Sequence, residues 1–438
     1  MAKNDYFDKM DSLNYYSATK KYDLRFPSLQ EDLVADIVVI GGGFTGINTA
    51  LELAEKGIKN IVLIEAKHLG YGGTGRNGGH IMPGVGHNLD LIKKDIGEDG
   101  VDAIFKISAE GIKIVKERIN KYNIDADFRH GYGFCAFNQR QQKLLESWER
   151  EFKLLDHNSD IGLVTGREVE TVVGSRSYCS VLRYMDGGHV HSLNLLLGEA
   201  AAATDLGVKI YENSKVTSVE YGKKVTVRTA MGSVVAEKML WACDSFINGL
   251  EPKLEKSIIN TMSFQMATEP LSDELINRIS PIRGAFSDVR PVIDYYRVTN
   301  ENRLLFGGAT HFVEYIPKDL FKWNREIMLN IFPYLKEVKI DMAWGGPMSL
   351  GRNLFPQVGT LAGHPNVFYV QGYAGFGVTP SHLVSRVVAE GMLGGSNLYA
   401  LFTGIHHKNI FARESLKNIL LTGGKMTHQL QGYFTGQR

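Results

Sequence analysis

A short apolar run, a glycine cluster and an amphipathic segment follow one another near the start of the chain. Residues 35–40 (ADIVVI) form a β-branched apolar run, Gly41 and its neighbours follow at once, and residues 47–54 place apolar side chains at helical spacing before Gly57. A second apolar run spans residues 61–64. This order predicts a βαβ unit whose two strands are parallel and joined by a right-handed crossover.

The rest of the chain alternates helical and strand patterns. Residues 90–122 have helical spacing and predict an excursion into a second domain, and residues 193–203 predict a helix capped by Ser192 and stopped at Gly207. Further strands are expected at residues 209–211, 215–221, 225–229, 238–241, 260–268, 292–298 and 303–307. A last strand at residues 367–371, followed by glycines and a helix, repeats the N-terminal pattern near the C-terminus.

These patterns predict an α/β fold, α+β overall, with two domains. A Rossmann-like nucleotide-binding domain with a parallel central sheet is expected from three separate pieces, residues 36–105, 165–250 and 350–400. A substrate domain with a mainly antiparallel sheet and flanking helices is expected from residues 106–164 and 251–349. The remaining segments are expected to form an N-terminal arm, residues 1–35, and a C-terminal helical segment, residues 401–438.

Composition and charge exclude several classes of protein. With 44% hydrophobic and 22% charged residues among 438, the chain has the balance of a soluble globular protein and the length for two domains. The 49 Lys and Arg nearly balance the 48 Asp and Glu, which argues against nucleic-acid binding because phosphate contact requires a basic excess. Three scattered cysteines and the absence of a metal-ligand motif argue against disulfides and bound metal. Without a signal peptide or transmembrane segment, we expect a cytoplasmic protein, either a monomer or a homodimer.

Gly41, Gly43 and Gly46 satisfy the GxGxxG spacing between the first predicted strand and helix. The first glycine permits the tight turn, the second lets the backbone approach a pyrophosphate, and the third allows close helix–strand packing. Glu65 ends the second strand, where a carboxylate accepts hydrogen bonds from ribose hydroxyls and repels a 2′-phosphate. This context predicts a bound adenine dinucleotide, FAD or NAD, with its phosphates at the helix N-terminus.

Residues 70–80 (GYGGTGRNGGH) are too rich in glycine for regular structure. The segment nevertheless contains two polar residues that can form hydrogen bonds, Thr74 and Asn77, and one cation, Arg76. A loop of this kind is expected to run beside an elongated cofactor, with its amides facing phosphate and ring edges. A flexible surface loop is the alternative interpretation.

The sequence resembles the amine and amino-acid oxidases of the D-amino-acid-oxidase superfamily, and within it most closely the gamma-glutamylputrescine oxidase group. The matching stretches lie in order along the chain, at residues 14–19, 41–65, 75–79, 188–194, 294–297, 305–308, 344–347 and 372–377. The resemblance implies FAD as the cofactor. It also implies a fold that pairs an FAD domain with an antiparallel substrate domain.

By this resemblance, the cofactor contacts extend from the fingerprint to the C-terminal glycine motif. They are expected at Gly41, Gly43, Phe44, Thr45, Gly46, Glu65, Ala66, Gly73, Thr74, Arg76, Asn77, Gly78, Gly79, Val216, Gly346, Gly375, Phe376, Gly377, Val378 and Thr379. The last five residues would direct a helix N-terminus at the flavin pyrimidine edge, where its dipole stabilises negative charge. Dimethylglycine-type relatives carry a covalently linked histidine roughly where this chain has Arg76, so we expect non-covalent FAD.

Four residues are candidates for the substrate side of the site. His80 follows the flavin loop and is a candidate base or hydrogen-bond donor, with a structural histidine as the alternative. Tyr296 and Arg297 take opposite faces of one strand and are candidates for substrate contact, with sheet packing and a solvated arginine as the alternative. Trp344 is a candidate cavity wall, and core packing is its alternative.

The expected reaction oxidises a C–N bond of a small amine, of gamma-glutamylputrescine or polyamine type, by hydride transfer to flavin N5 and hydrolysis of the imine. Sarcosine-type oxidases use two lysines, one to activate dioxygen and one for the substrate carboxylate. This chain has Leu304-Leu305-Phe306 and Thr379 at the comparable positions, so the electron acceptor is either dioxygen or a carrier. The alternatives are an imino- or D-amino-acid dehydrogenase that reduces a quinone or carrier, and a flavoprotein that serves as a maturation or binding partner.

Overall fold

The computed structural model describes residues 3–155, 158–290, 292–311 and 319–410. The strands are β1 (Asp32–Ile40), β2 (Ile61–Ile64), β3 (His80–Ile81), β4 (Arg129–Ala136), β5 (Ile161–Thr165), β6 (Ser180–His189), β7 (Lys209–Tyr211), β8 (Ser218–Glu220), β9 (Val225–Arg228), β10 (Ser233–Trp241), β11 (Ile258–Thr268), β12 (Ala285–Asp288), β13 (Tyr295–Val298), β14 (Leu304–His311), β15 (Ile340–Gly351), β16 (Gln357–Leu361) and β17 (His364–Gln371). The α-helices are α1 (Lys3–Asp11), α2 (Tyr15–Thr19), α3 (Phe44–Glu55), α4 (Lys93–Lys106), α5 (Glu110–Lys121), α6 (Gln139–Leu155), α7 (Ser192–Asp205), α8 (Pro252–Glu255), α9 (Asp273–Ile279), α10 (Leu320–Ile331), α11 (Val378–Met392) and α12 (Asn397–Thr403).

The first sheet has the order β16-β17-β10-β1-β2-β7, with the hairpin β8-β9 attached to β10. β1 runs parallel to β2 and β10, and β10 runs parallel to β17. Ile37 and Val39 of β1 belong to the core layer that includes Leu51 of α3, whereas Val38 belongs to the layer with Val227. Both faces of β1 are therefore covered, which explains its continuous apolar run. The predicted parallel βαβ unit is confirmed.

The second sheet has the order β15-β11-β14-β13-β12-β4-β6-β3, with β5 paired to β6. Its strand pairs are antiparallel except for β12 and β4, which run parallel. The predicted mainly antiparallel sheet is confirmed. Its apolar face forms a separate core cluster with α10, in which Phe264, Phe286 and Phe306 are fully buried.

The predicted division of segments between the two domains is wrong for several elements. Helix α5, expected in the substrate domain, lies on the nucleotide side, where its Arg118 donates to Glu52 of α3 at 2.7 Å. Strands β3 and β6, expected in the nucleotide domain, pair with each other in the antiparallel sheet, where β6 also pairs with β4. These errors have one cause: apolar periodicity predicts the type of an element but not the sheet against which it packs.

Several element boundaries also differ from the expected ones. Helix α7 is capped by His191, whose Nδ1 accepts a hydrogen bond from the Asn194 amide at 3.1 Å, while Ser192 donates its hydroxyl to Asn77 instead. The expected helical region of residues 90–122 is interrupted, and Gly97 has φ of 72° within α4. Of the expected C-terminal helical segment, residues 411–438 lie outside the described residues. Among the described helices, none has the length and apolar run that a bilayer span requires.

Candidate active site

A cavity of about 740 Å³ lies between the two sheets. Its wall is built from the glycine turn after β1, the loop that precedes β3, strand β13 and the turn that precedes α11. The volume falls within the range of about 300–1,000 Å³ that is typical of small-molecule and cofactor sites. At one end the lining includes Glu65 and Val216, and it also includes His80 and Tyr295, which belong to the second sheet.

The glycine turn is shaped by close backbone contacts. Gly41 has φ of 116°, and a Cβ on it would lie 2.4 Å from the Ala242 carbonyl oxygen. A Cβ on Gly46 would lie 1.9 Å from the Gly41 carbonyl oxygen, so this glycine serves packing and does not line the cavity. Gly43 precedes α3 without a side-chain cap, so the helix N-terminus presents amide groups to an anion.

Glu65 lies directly after β2, at one end of the cavity. Its carboxylate accepts hydrogen bonds from the Gly42 amide at 2.7 Å and from the Lys67 amide at 2.9 Å. Burial raises the pKa of Glu65, although these two amides favour its charged form. Together with Ala66 and Val216, which also line the cavity, the carboxylate forms a polar and apolar surface suited to an adenosine.

The glycine-rich loop is held together by its own polar groups. Thr74 accepts a hydrogen bond from the Phe44 amide at 3.1 Å, which ties the loop to the start of α3. Asn77 donates to the Thr74 carbonyl oxygen at 2.8 Å and accepts from the Gly79 amide at 2.7 Å. Because the Asn77 amide folds the loop, the interpretation as a flexible surface loop is wrong. Gly73, Thr74, Asn77 and Gly78 line the cavity.

Arg76 belongs to the cavity wall, but its guanidinium group faces the N-terminal arm. Its Nε donates to the Tyr71 carbonyl oxygen at 2.8 Å, and its Nη2 lies 3.1 Å from Asp11 Oδ1 and 3.3 Å from the Phe7 carbonyl oxygen. The side chain is buried within these contacts. The donors of the guanidinium group are therefore directed at the arm, and the expected contact of Arg76 with the cofactor stays a prediction.

The C-terminal glycine motif lies at the cavity as predicted. Helix α11 begins at Val378, directly after Gly377. Of the expected cofactor residues from Val216 onward, six line the cavity: Val216, Gly346, Gly375, Phe376, Gly377 and Val378. Thr379 does not, because its hydroxyl accepts a hydrogen bond from the Met82 amide at 3.2 Å. Gly79 also lies behind the wall, where a Cβ would approach the Val190 carbonyl oxygen to 2.2 Å.

The position of Tyr296 contradicts its expected substrate contact. Its ring lies between Phe286 and Phe306, at centroid distances of 5.4 and 5.6 Å, within the core of the second sheet. The neighbouring Tyr295 takes the other face of β13 and lines the cavity. Strand alternation is therefore as predicted, but the sequence does not indicate which of the two faces meets the cavity.

Arg297 and Trp344 also lie behind the cavity wall rather than in it. Arg297 Nε donates to the Gly78 carbonyl oxygen at 2.8 Å, and its Nη2 donates to the Tyr16 hydroxyl at 3.1 Å. Trp344 Nε1 donates to the Arg76 carbonyl oxygen at 3.2 Å. Both side chains are buried, so neither the expected substrate contacts nor the alternative of a solvated arginine holds. They support the glycine-rich loop from behind.

His80 lines the cavity where the second sheet forms its wall. Its Nδ1 lies 3.1 Å from the Tyr132 hydroxyl oxygen, and Tyr132 donates its own proton to Ser287 at 2.8 Å. Its Nε2 is buried and has no hydrogen-bond partner among the described residues. Burial, followed by the nearby positive charge of Arg297, lowers the pKa of His80 to about 3, so the ring is neutral at neutral pH.

Sequence reasoning missed several polar residues that line the cavity, among them Ser263, Gln265 and Asp244. Gln265 is buried in the middle of β11, and its Nε2 donates to the Arg76 carbonyl oxygen. A glutamine within a strand belongs to no recognised motif. The signal for it is the alternation of Thr261, Ser263 and Gln265 with apolar residues along β11, which marks one face of the strand as polar.

Comparisons with known proteins agree with this geometry. Residues 36–391 match the family described as FAD dependent oxidoreductase. The chain belongs to this family. The residues of the cavity also fit FAD, because the N-terminus of α3 behind Gly43 would face its pyrophosphate and the Glu65 carboxylate would accept from its ribose hydroxyls.

Two curated relatives of this FAD-dependent oxidoreductase cover nearly all of its length. The gamma-glutamylputrescine oxidoreductase of Escherichia coli is 36% identical over 90% of this chain and 92% of the relative. The probable oxidoreductase OrdL of Haemophilus influenzae is 35% identical over 93% of this chain and 94% of the relative. The glycine oxidase of Geobacillus kaustophilus superposes with a TM-score of 0.70 at 16% identity, covering 86% of this chain and 100% of that structure, which shows a shared fold.

Proposed function

We propose that this enzyme oxidises a carbon–nitrogen bond of a small amine of the gamma-glutamylputrescine or polyamine type. The observation that carries the proposal is a neutral, buried histidine, His80, at the end of the cavity formed by the second sheet. The similarity of almost the whole chain to the gamma-glutamylputrescine oxidoreductase of Escherichia coli supports the same substrate type.

In the proposed reaction the amine loses a hydride from its carbon and a proton from its nitrogen, and the imine then reacts with water. When bound, FAD supplies the hydride acceptor. The buried end of the cavity holds the amine out of water, which lowers the amine pKa and favours the neutral, reactive form. The unprotonated Nε2 of His80 accepts a hydrogen bond from the amine nitrogen and so orients the amine, while the proton of that nitrogen leaves to water. The protein therefore contributes to catalysis mainly by orienting the amine and by removing it from water.

We further propose that FAD is held without a covalent bond. Arg76, which stands roughly where dimethylglycine-type relatives carry the linked histidine, is engaged by Asp11 and has no nucleophilic nitrogen. Cys243 lines the cavity, but burial raises the pKa of its thiol, and the thiol donates to the Ile40 carbonyl oxygen at 3.4 Å. A protonated thiol is a poor nucleophile toward a flavin ring.

A dehydrogenase that passes electrons to a quinone or protein carrier is the second candidate. Leu304, Leu305 and Phe306 are fully buried in β14, so these three residues bring no cation to the cavity where sarcosine-type oxidases have their oxygen-activating lysine. The yield of hydrogen peroxide per substrate oxidised in air separates the two: a stoichiometric yield indicates an oxidase, and turnover that requires an artificial quinone indicates a dehydrogenase.

An anaerobic flavin-reduction screen tests the proposed function. The holoenzyme is mixed without oxygen with gamma-glutamylputrescine, putrescine, N-methyl amino acids, D-amino acids and, as a control without nitrogen, glycerol 3-phosphate. We expect the flavin absorbance to bleach with gamma-glutamylputrescine or another polyamine and to persist with glycerol 3-phosphate. Persistence with every amine contradicts the proposal and favours a role as a maturation or binding partner.

A further inference from the structure

The hydrogen bonds around His80 determine which of its nitrogens carries the proton. Tyr132 donates its single hydroxyl proton to Ser287, so its oxygen is left to accept from His80 Nδ1. Because burial keeps the ring neutral, a proton on Nδ1 leaves Nε2 with a free lone pair. His80 therefore presents an acceptor, and this acceptor is buried without a partner among the described residues.

The amide of Gln265 is oriented by a similar constraint. Its Nε2 donates to the Arg76 carbonyl oxygen, which also accepts from Trp344 Nε1 and so identifies the nitrogen end of the amide. The other end, Oε1, is buried and accepts no hydrogen bond from the described residues. Gln265 thus presents a second acceptor, on a residue that lines the same cavity.

Tyr295 connects these two acceptors. Its ring packs edge-to-face on His80 at a centroid distance of 5.4 Å, and its hydroxyl lies 3.0 Å from Ser263 Oγ, two residues before Gln265 on the same face of β11. His80, Gln265, Tyr295 and Ser263 all line the cavity. The two acceptors therefore belong to one polar cluster, carried by β3, β11 and β13 of the second sheet.

The described residues that line this end of the cavity present no free cation. Arg76 turns its guanidinium group to Asp11 and the arm, and Arg297 is bound to the Gly78 carbonyl oxygen behind the wall. Lys67 and Lys215 line the cavity near Glu65 and Val216, at the end suited to the adenosine. A carboxylate on the reacting carbon of a substrate would thus meet two acceptors and no positive partner, at a cost in binding.

We propose that His80 Nε2 and Gln265 Oε1 form a two-acceptor site for the N–H groups of a primary amine whose reacting carbon bears no carboxylate, with Tyr132 and Ser287 as positioning residues. This inference rests on the proposed function and assigns its substrate recognition to named atoms. A primary amine supplies enough donors for both acceptors, whereas each N-methyl group removes one donor. The site therefore discriminates against N-alkylated amines and α-amino acids.

Calorimetric titration of the dithionite-reduced holoenzyme tests the site without turnover, because reduced flavin accepts no hydride. The ligands are N-acetylputrescine, its N′-methyl and N′,N′-dimethyl derivatives, and Nδ-acetylornithine, which carries a carboxylate on the amine carbon. We expect N-acetylputrescine to bind most tightly, with about ten-fold weaker binding for each lost hydrogen bond. The substitution Gln265→Met should weaken N-acetylputrescine binding by about ten-fold and reduce the discrimination against the N′-methyl derivative. Gln30→Met, at an exposed glutamine, is the matched control.

Nitrogen NMR of the imidazole rings, recorded at neutral pH, tests whether Tyr132 positions the proton of His80. We expect an unprotonated Nε2 resonance for His80, assigned by its loss in His80→Gln, and a mixture of tautomers in Tyr132→Phe. Unchanged amine affinity in folded Gln265→Met and His80→Gln, or tighter binding of Nδ-acetylornithine, overturns the inference even if amines reduce the flavin. Affinity that depends on both residues supports the inference even if no amine is oxidised, in which case only the proposed function fails.

Discussion

Arg76 Nη2 lies 3.1 Å from Asp11 Oδ1, and this ion pair joins the flavin-side loop to the N-terminal arm. The Arg76 side chain is fully buried, while Asp11 is 28% exposed. A guanidinium group left without its carboxylate in this position is destabilising, because a buried charge then lacks compensation. The arm thus supports the cavity wall through Arg76, although none of its described residues lines the cavity.

The substitution Asp11→Asn should therefore weaken both the fold and FAD retention. We expect a loss of about 1–3 kcal/mol in the free energy of unfolding and a higher dissociation constant for FAD, measured by denaturant titration and flavin fluorescence. Asp23→Asn is the matched control, since Asp23 pairs with the exposed Arg25 at 3.4 Å. Equal effects of the two substitutions would contradict a specific role for the Arg76–Asp11 pair.

The close backbone contacts of the glycine turn predict that a side chain at Gly46 is not tolerated. Because a Cβ at Gly46 would lie 1.9 Å from the Gly41 carbonyl oxygen, Gly46→Ala should displace the turn and abolish or greatly weaken FAD binding. Gly162→Ala is the control, as no atom lies within 4 Å of a Cβ at that position. Flavin content after purification and the unfolding midpoint are the measurements. Full flavin content in Gly46→Ala would contradict the prediction, because it would show that the turn can accommodate a Cβ at this position.

The adjacent tyrosines of β13 face different surroundings, because Tyr295 lines the cavity and Tyr296 lies in the core. Tyr295→Phe removes a hydroxyl that lies 3.0 Å from Ser263 in the cavity wall, so we expect weaker amine binding with little change in stability. Tyr296→Phe removes the 3.2 Å hydrogen bond to Tyr178 in the core, so we expect a loss of about 1 kcal/mol in stability with unchanged amine affinity. Calorimetric titration and denaturant unfolding distinguish the two. The reverse pattern would show that the opposite face of β13 meets the substrate.

Buried neutral histidines make stability depend on pH. Burial, then the charge of Arg297, lowers the pKa of His191 to about 3 from an ordinary value of 6.5. Between these values the unfolded chain binds a proton that the folded chain does not, so stability falls as the pH is lowered from about 6.5 toward 3, by at most about 1.4 kcal/mol per pH unit for each such histidine. His191→Asn keeps an N-cap acceptor for α7 and removes the titration. Its unfolding midpoint should therefore fall less steeply with acid than that of the wild type, and an identical slope would contradict the assignment.

The nucleotide-binding half of the site can be predicted from sequence because its determinants are local. Gly41, Gly43 and Glu65 follow from strand, turn and helix geometry within about 30 residues. The loop before His80 is marked by its glycine content alone. These features depend on backbone conformation, which a short segment largely determines by itself.

The substrate half cannot be predicted in this way because it depends on contacts distant in the chain. Arg76 has the chemistry of a phosphate ligand, and the sequence does not indicate that its guanidinium group pairs with Asp11 in the arm. Tyr295 and Tyr296 have the same residue type, and the packing of Phe286 and Phe306 decides which of them enters the core. Gln265 becomes recognisable only when the Arg76 carbonyl oxygen is seen to fix its amide.

The flavin content of the purified protein, before and after denaturation, tests the central claim that the cavity beside Gly43 and Glu65 holds FAD non-covalently. The account predicts a yellow protein with one FAD per chain, all of which passes into the filtrate when SDS or acid unfolds the chain. A folded protein that is colourless and does not take up added FAD would contradict the cofactor site, and flavin that stays with the unfolded chain would contradict its non-covalent attachment.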